Sequence, residues 1–281
     1  MIAVKLEGRL GNQLFQYAFI YTASKKLNTK FYLDKSADYL VLDKYFNIEQ
    51  DFCYLFDKKI CSIKGFKNIF SHHLRYKFYY LLKQLFHLNI VSFDNAIEPL
   101  IQIEMIRDKI MYQGFFQSED YFKDFKTEIK NLFTIKDSHK KKFKNIIDQL
   151  PITGKNVVVH IRKGDYIEHG FSLNYSYFHK AIESINNDRN YFIFVSDEPD
   201  TIENEFSYIK NKYISDNDEI IDFQFIIHAD ICILSNSSFS WWGAYLNIKQ
   251  PKIIAPRYWL GRADNKELPV NVIPDSWIIL E

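Results

Sequence analysis

The stretch Val157-Val158-Val159-His160-Ile161-Arg162-Lys163-Gly164-Asp165-Tyr166 decides the fold class. A β-branched apolar run without polar alternation reads as a strand buried on both faces, and such strands belong to parallel sheets. The run then delivers an imidazole, a guanidinium, an ammonium and a carboxylate between His160 and Asp165. In open α/β sheets, ligands bind beyond the carboxyl ends of the strands. The charges are therefore expected to face a ligand, and Arg162 beside Lys163 suits an anionic one. The competing account is a strand-end salt bridge between Arg162 and Asp165.

Outward from this strand, apolar runs at 191–195, 231–234 and 253–255 alternate with helical patterns at 175–186, 220–228 and 239–247. That βαβα series predicts a parallel sheet with helices on both faces. Upstream, 2–6 reads as a strand, 7–13 as a glycine-containing loop, and 14–27 as a helix presenting Leu14, Tyr17, Ala18 and Tyr21 on one face. Further elements are a strand at 31–33, a helix at 76–88, a strand at 110–116, and a helix capped by Ser118 and running to Phe133. The segment 36–104 is otherwise poorly patterned. The basic stretch at 136–144 precedes Pro151 and Gly154, which mark a boundary. Two domains are expected, 1–150 and 151–281, with the final segment packing back on the first.

Of 281 residues, 36 are basic and 35 acidic, so no global field draws the chain onto nucleic acid. Any anion is bound locally. Cys53, Cys61 and Cys232 form no CxxC and cannot all pair, which favours a reducing compartment; Cys232 sits between isoleucines as a small core residue. The N-terminus reaches glycine and charge too early for a secretory h-region, and no apolar stretch is long enough to span a bilayer. The expectation is a cytoplasmic protein whose sequons at Asn174 and Asn236 carry no glycan. Membrane contact would be at most peripheral, at the inner face through 136–144, unless that run is simply a solvated helix face.

Three further turns carry candidate chemistry. Ser235-Asn236-Ser237-Ser238-Phe239-Ser240-Trp241-Trp242-Gly243 follows an apolar strand, and small hydroxyl residues opening a helix leave backbone N–H groups and a positive dipole end for an anion. Ordinary N-capping by Ser237 or Ser238 explains the same residues, and the tryptophans suit a core. In Glu7-Gly8-Arg9-Leu10-Gly11-Asn12-Gln13 the glycines permit close backbone approach or positive φ, and Asn12 and Gln13 place two amides at a helix start. In Ser196-Asp197-Glu198-Pro199-Asp200, Asp197 could reach a ribose or base, while Asp200 caps the next helix. Asp216-Asn217-Asp218 has a D-x-D pattern, yet acidic residues belong before a helix anyway and a metal needs more ligands. With no zinc spacing among eight histidines, no metal is expected.

The order EGRLGNQLFQYA, YQGFFQSEDYF, HIRKGDY, VSDEPD, LSNSSFSWWGAYLN, IIAPRYW and IPDSWI, from residue 7 to 278, resembles the α-1,2-fucosyltransferases, the inverting glycosyltransferase family 11. HIRKGDY and SNSSFSWWGA are its specific motifs. The resemblance implies an α/β fold of GT-B type, with two Rossmann-like domains whose parallel sheets face a central cleft. It implies GDP-fucose held mainly by the C-terminal domain, a galactose-terminated oligosaccharide or lipid-linked glycan as acceptor, and no cofactor or required metal. By the same resemblance Arg162 matches the arginine on the donor diphosphate, and His160 and Asp230 match positions at the guanine end. Ser237, Ser238 and Phe239 match the phosphate-contacting turn, and Asn12 matches an asparagine near the reacting centre, with Gly11 and Gln13 beside it on the donor side. Asp165 is the candidate general base. Relatives often carry His-x-Arg-Arg, whereas position 163 here is lysine, which keeps the charge but not the planar fork. An outward or supporting role is expected for Lys163.

Overall fold

The computed structural model describes residues 1–36, 39–48, 51–53, 69–185 and 187–281; Cys61 and Asn186 lie outside the described residues. Two units emerge, Met1–Thr134 with Pro269–Asn271, and Ile135–Leu268 with Val272–Glu281.

In the first unit, β1 (Ile2–Lys5), β2 (Phe31–Asp34), β3 (Asn89–Ser92) and β4 (Ile110–Gln113) form a parallel sheet of order β2-β1-β4-β3. The period of two divides its faces. Ala3 and Met111 pack with Tyr79 and Leu82 of a helix at Ile69–Leu85, while Tyr112 meets Phe19 of α1 (Leu10–Leu27) edge-on at 5.2 Å. Phe19 also stacks on Phe116 at 3.9 Å. α1 is buried on every side from Leu10 to Ser24 except at Asn12, where the sequence suggested one apolar face. It also begins earlier than its pattern implied. Gly8, at φ +74°, makes the turn and Arg9 takes the cap position, so Gly11, Asn12 and Gln13 form the first helical turn rather than a loop. The short edge strand β3, largely exposed, gave no periodic signal.

In the second unit, β5 (Asn156–Ile161), β6 (Tyr191–Ser196), β7 (Lys212–Ser215), β8 (Ile231–Ile233), β9 (Lys252–Pro256) and β10 (Ile278–Leu280) form a parallel sheet of order β10-β9-β8-β5-β6-β7. Both edge strands, β7 and β10, are short and partly exposed, and the sequence reading missed them. Val157, Val159 and Ile161 join one core cluster with Tyr177, Phe178 and Phe194. Trp241 and Trp242 are fully buried.

The basic run at 136–144 is helical, as one of its two readings had it. It lies in a helix, Asp137–Ile147, whose Phe143 packs on Phe225 at 5.2 Å and His228 at 5.1 Å. The units therefore divide after Thr134 instead of at Pro151 to Gly154. At the other end only Pro269–Asn271 joins the first unit, through the Val270 N–H to the Asn95 carbonyl (2.9 Å) and the Asn271 amide to Glu98 (2.9 Å). The rest of the C-terminal segment stays with the second unit, where β10 pairs with β9.

Asp222, on the helix Glu219–Ile227, is buried and accepts from the Ser215 hydroxyl at the end of β7. Burial pushes its carboxyl up to about 7. An acid whose pKa is raised in the folded state stabilises the fold below its unfolded value, near 4, and loses that contribution as pH climbs through about 7. Asp222→Asn, which keeps an acceptor for Ser215, is expected to flatten this dependence. By urea denaturation the wild type should lose on the order of 2 to 3 kcal/mol more than the variant between pH 5 and pH 8. Parallel stability profiles for the two proteins would refute the assignment.

Candidate active site

The order of the second sheet reverses direction at β5 and β8, so the loops leaving their carboxyl ends diverge and open a crevice there. Both carry the residues singled out in the sequence. Arg162 leaves β5 with its guanidinium between two carboxylates: NH2 donates to Asp165 Oδ1 at 2.5 Å and NH1 pairs with Asp197 Oδ2 at 3.0 Å. Its carbon Cζ lies 5.5 Å over the Tyr166 ring. The suspected strand-end salt bridge thus exists, and Asp197 extends it.

Asp197 holds two protein partners. Its Oδ1 accepts from the Lys163 backbone N–H at 2.8 Å, so one carboxylate fixes both the loop and the guanidinium. Gly164 is required beside it, because a Cβ there would lie 2.5 Å from Asp197 Oδ2. Lys163 turns inward. Its ammonium donates to the Leu173 carbonyl at 2.6 Å, sits 4.0 Å over the Tyr175 ring, and has its pKa lowered by burial. The residue supports the loop from beneath. Asp200 lies within the first turn of the helix Pro199–Glu205 rather than at its cap.

Across the switch point, β8 ends in a turn that opens the helix Ser238–Tyr245. Ser237 occupies the cap position with extended backbone, yet its hydroxyl makes no capping hydrogen bond. The intrahelical ladder starts with the Trp241 N–H to the Ser237 carbonyl at 3.0 Å, so the first turn presents its N–H groups at the open helix end. Asn236 locks this turn: its amide donates to the carbonyls of Phe171 (2.8 Å) and Trp259 (3.1 Å), tying it to the segments that follow β5 and β9. The motif placed Asn236 in the turn without revealing this role, for which a buried amide between serines was the one available signal.

His160 connects the two strand ends. Its Nδ1 lies 2.7 Å from the Ser235 hydroxyl and its ring packs on Phe239 at 5.5 Å. Burial first, and the Arg162 charge second, press its pKa down to about 3, so the imidazole is neutral. It stands behind Arg162 and the serine turn as a positioning residue. Asp230 lies elsewhere. It precedes β8, at the amino edge of the sheet, where it accepts from the Asn156 N–H (3.0 Å) and pairs with Lys249 (3.0 Å). Strand direction places it at the opposite edge of the sheet from Arg162. Among the described residues no group of three or more His, Cys, Asp or Glu side chains converges as a metal set. In the D-x-D stretch, Asn217 donates to Tyr213 and Ser215 and Asp218 starts a helix. Two hollows of about 540 and 520 Å³ lie at the amino edges of the two sheets, around Phe31 and around Lys155, away from these strand ends.

The first unit repeats the arrangement at β1 and β4. Asn12 accepts from Gln117 at 2.8 Å, which fixes its amide, and a Cβ on Gly8 would collide with that amide at 2.4 Å. Buried Gln16 accepts from the Glu7 N–H and donates to the Gly114 carbonyl, both at 3.0 Å. Gln13 is fully buried. Its amide donates to the carbonyls of Gly8 and Tyr39 and accepts from the Val41 N–H, so it staples loops together with both N–H donors engaged. Gly11 is likewise buried within the helix.

Residues 1–279 match the model of glycosyl transferase family 11. The chain belongs to this family. Family members with related sequences include an α-1,2-colitosyltransferase of Escherichia coli, 29% identical over all of this chain and 99% of the relative. The O-antigen biosynthesis glycosyltransferase WbnK, also of Escherichia coli, is 27% identical over 98% of this chain and 99% of its own length. Among solved structures, the fucosyltransferase NodZ from Bradyrhizobium superposes with a TM-score of 0.54 at 11% identity, covering 90% of this chain and 94% of that one. NodZ, an α-1,6-fucosyltransferase, has also been crystallised soaked with GDP-fucose (TM-score 0.52, 11% identity, 87% and 92% covered). At such identity the likeness speaks to fold alone, and the two parallel α/β units are of the GT-B type.

The neutral state of His160 is open to measurement. A base whose pKa is lowered on folding stabilises the fold above its unfolded value, near 6.5, and that contribution is lost as pH falls toward about 3. NMR-monitored titration of this family 11 protein should therefore show no ring protonation of His160 between pH 8 and pH 5. A titration step in that window would contradict the buried, hydrogen-bonded geometry.

Proposed function

We propose that this glycosyltransferase moves L-fucose from GDP-β-L-fucose to the 2-hydroxyl of a terminal galactose, inverting to an α-1,2 linkage with no required metal. The observation that carries the reading is Arg162 facing, across one switch point, a helix start whose cap hydroxyl is uncommitted. A diphosphate needs several convergent donors. Of the five N–H donors of a guanidinium, one on NH2 meets Asp165 and one on NH1 meets Asp197, which leaves three for phosphate oxygens.

In the displacement, the acceptor oxygen bonds to the anomeric carbon as the bond to the β-phosphate oxygen breaks, and GDP leaves with the electron pair. Negative charge grows on that oxygen, where Arg162, Ser237 and the N–H groups of Ser238 and Phe239 act as preorganised stabilisers. The acceptor hydroxyl loses its proton. Asp165 is the base assigned to it, once phosphate has replaced Asp165 on the guanidinium. Neither step calls on a metal.

One observation favours a second reading of the donor. A colitosyltransferase is 29% identical over the whole chain, and colitose is L-fucose without its 3-hydroxyl. A site built to hydrogen-bond that hydroxyl rejects the deoxy sugar strongly, whereas an apolar site discriminates far less. Kinetics with GDP-fucose and GDP-colitose, each offered with lactose and with a Galβ1,3-linked acceptor, followed by linkage analysis of the product, separates the two.

Arg162→Ala is expected to lower kcat by on the order of 10² to 10³, the usual effect of losing one such donor. Arg162→Lys should recover only part of this, because a point charge replaces the fork. Full turnover in a folded Arg162→Ala protein would overturn the reading. So would a requirement for divalent metal that EDTA exposes.

A further inference from the structure

Between Asp57 and Asp94 the sequence contains no aspartate or glutamate but seven lysines and arginines, although the chain as a whole balances its charges. The described part of this span is dominated by the helix Ile69–Leu85. Its inner face is accounted for, with Tyr79 and Leu82 packed on Ala3, Tyr32 and Met111. Its outer face is not what a solvated helix presents. Leu74, Leu81 and Leu85 recur at spacings of seven and four, lie on one stripe, and are 43%, 64% and 66% exposed. Tyr76 and Tyr80 flank them at 57% and 54% exposure. Lys77 is exposed beside the stripe, and the Lys83 ammonium sits 5.3 Å over the Tyr80 ring.

We propose that this outer face docks the protein on a bilayer surface rich in anionic lipid headgroups. Exposed leucines, amphipathic tyrosines and cationic flanks are what an interfacial helix uses to bury apolar surface and meet negative lipid. Charge selects this occupant over a second copy of the chain. A self-contact of the face would bring Lys77 and Lys83 against like charge with no acid on the helix to answer them. The helix Asp137–Ile147 is the weaker docking element, since its Lys140 pairs with Asp137 and its Lys144 with Asp148. Among the described residues no helix is long and apolar enough to cross a membrane, so the contact is peripheral.

Co-sedimentation of the full chain with phosphatidylcholine vesicles, with and without phosphatidylglycerol, tests this. Binding is expected only to vesicles containing phosphatidylglycerol and should weaken in high salt. Lys77→Gln with Lys83→Gln should lower partitioning about 25-fold, at about 5-fold per lysine, and Leu81→Asp with Leu85→Asp should abolish it. Circular dichroism and transfer to a small soluble acceptor are expected to stay unchanged in both variants, which separates lost docking from lost folding or chemistry. If either double variant unfolds, Leu85→Gln alone should still weaken binding. No binding to phosphatidylglycerol vesicles, binding unaffected by the substitutions, or a monomer–dimer equilibrium that the substitutions shift while vesicles go unbound would each overturn the proposal.

Discussion

A neutral imidazole inside the second sheet lets two polar strand ends approach one another. β5 and β8 are neighbours whose carboxyl ends carry Arg162 and the serine turn. Hydroxyls buried at that junction need partners, and a charged group there would be costly. His160 supplies the partner without the charge, meeting Ser235 while its ring fills space against Phe239. Ser235 in turn accepts, through its carbonyl, the Ser237 N–H and the Ser240 hydroxyl, so the shape of the helix start is set from below. Asn236 adds the lateral ties. The groups that face the crevice are thus backed by residues that never reach it.

The same logic orders the first unit with different chemistry. There the junction lies between β1 and β4, and glutamines take the place of histidine and serine. Gln13 and Gln16 satisfy backbone groups of loops far apart in sequence, and Gln117 fixes Asn12. Amides suit this use because each supplies donors and an acceptor from one planar group. A helix buried on nearly every side can carry them only if each is satisfied, and Gln13 and Gln16 are.

Much of this was legible in the sequence where the residues obey a period. The runs of β5, β6, β8 and β9 are apolar because both faces are covered, and the turns behind them stand out by contrast. Elements that pack on one side only, such as β3, β7 and β10, are too short for alternation to register. The start of α1 escaped because no residue caps it through a side chain and a glycine lies in its first turn. For the site, residue type pointed to Arg162 and the serine turn. It did not show that the Asp197 carboxylate also meets Arg162 and the Lys163 N–H. Asp230 does lie just before its strand, but its partners there, Asn156 and Lys249, are distant in sequence and left no local signal.

The two carboxylates on Arg162 are not equivalent, and the difference bears on how an anion can enter. Asp165 is nearly half exposed and belongs to a five-residue helix, whereas Asp197 is more enclosed and also holds the Lys163 N–H beside Gly164. An exposed ion pair contributes about 0 to 1 kcal/mol, while bidentate guanidinium-to-phosphate bonds are stronger and shorter. Phosphate can therefore replace Asp165 at small cost, whereas replacing Asp197 would also undo the loop that presents the guanidinium. With Asp197 retained, Arg162 stays aimed. In the proposed reaction, the carboxylate that phosphate displaces is then the one left to meet the acceptor, while the one that holds the loop never moves.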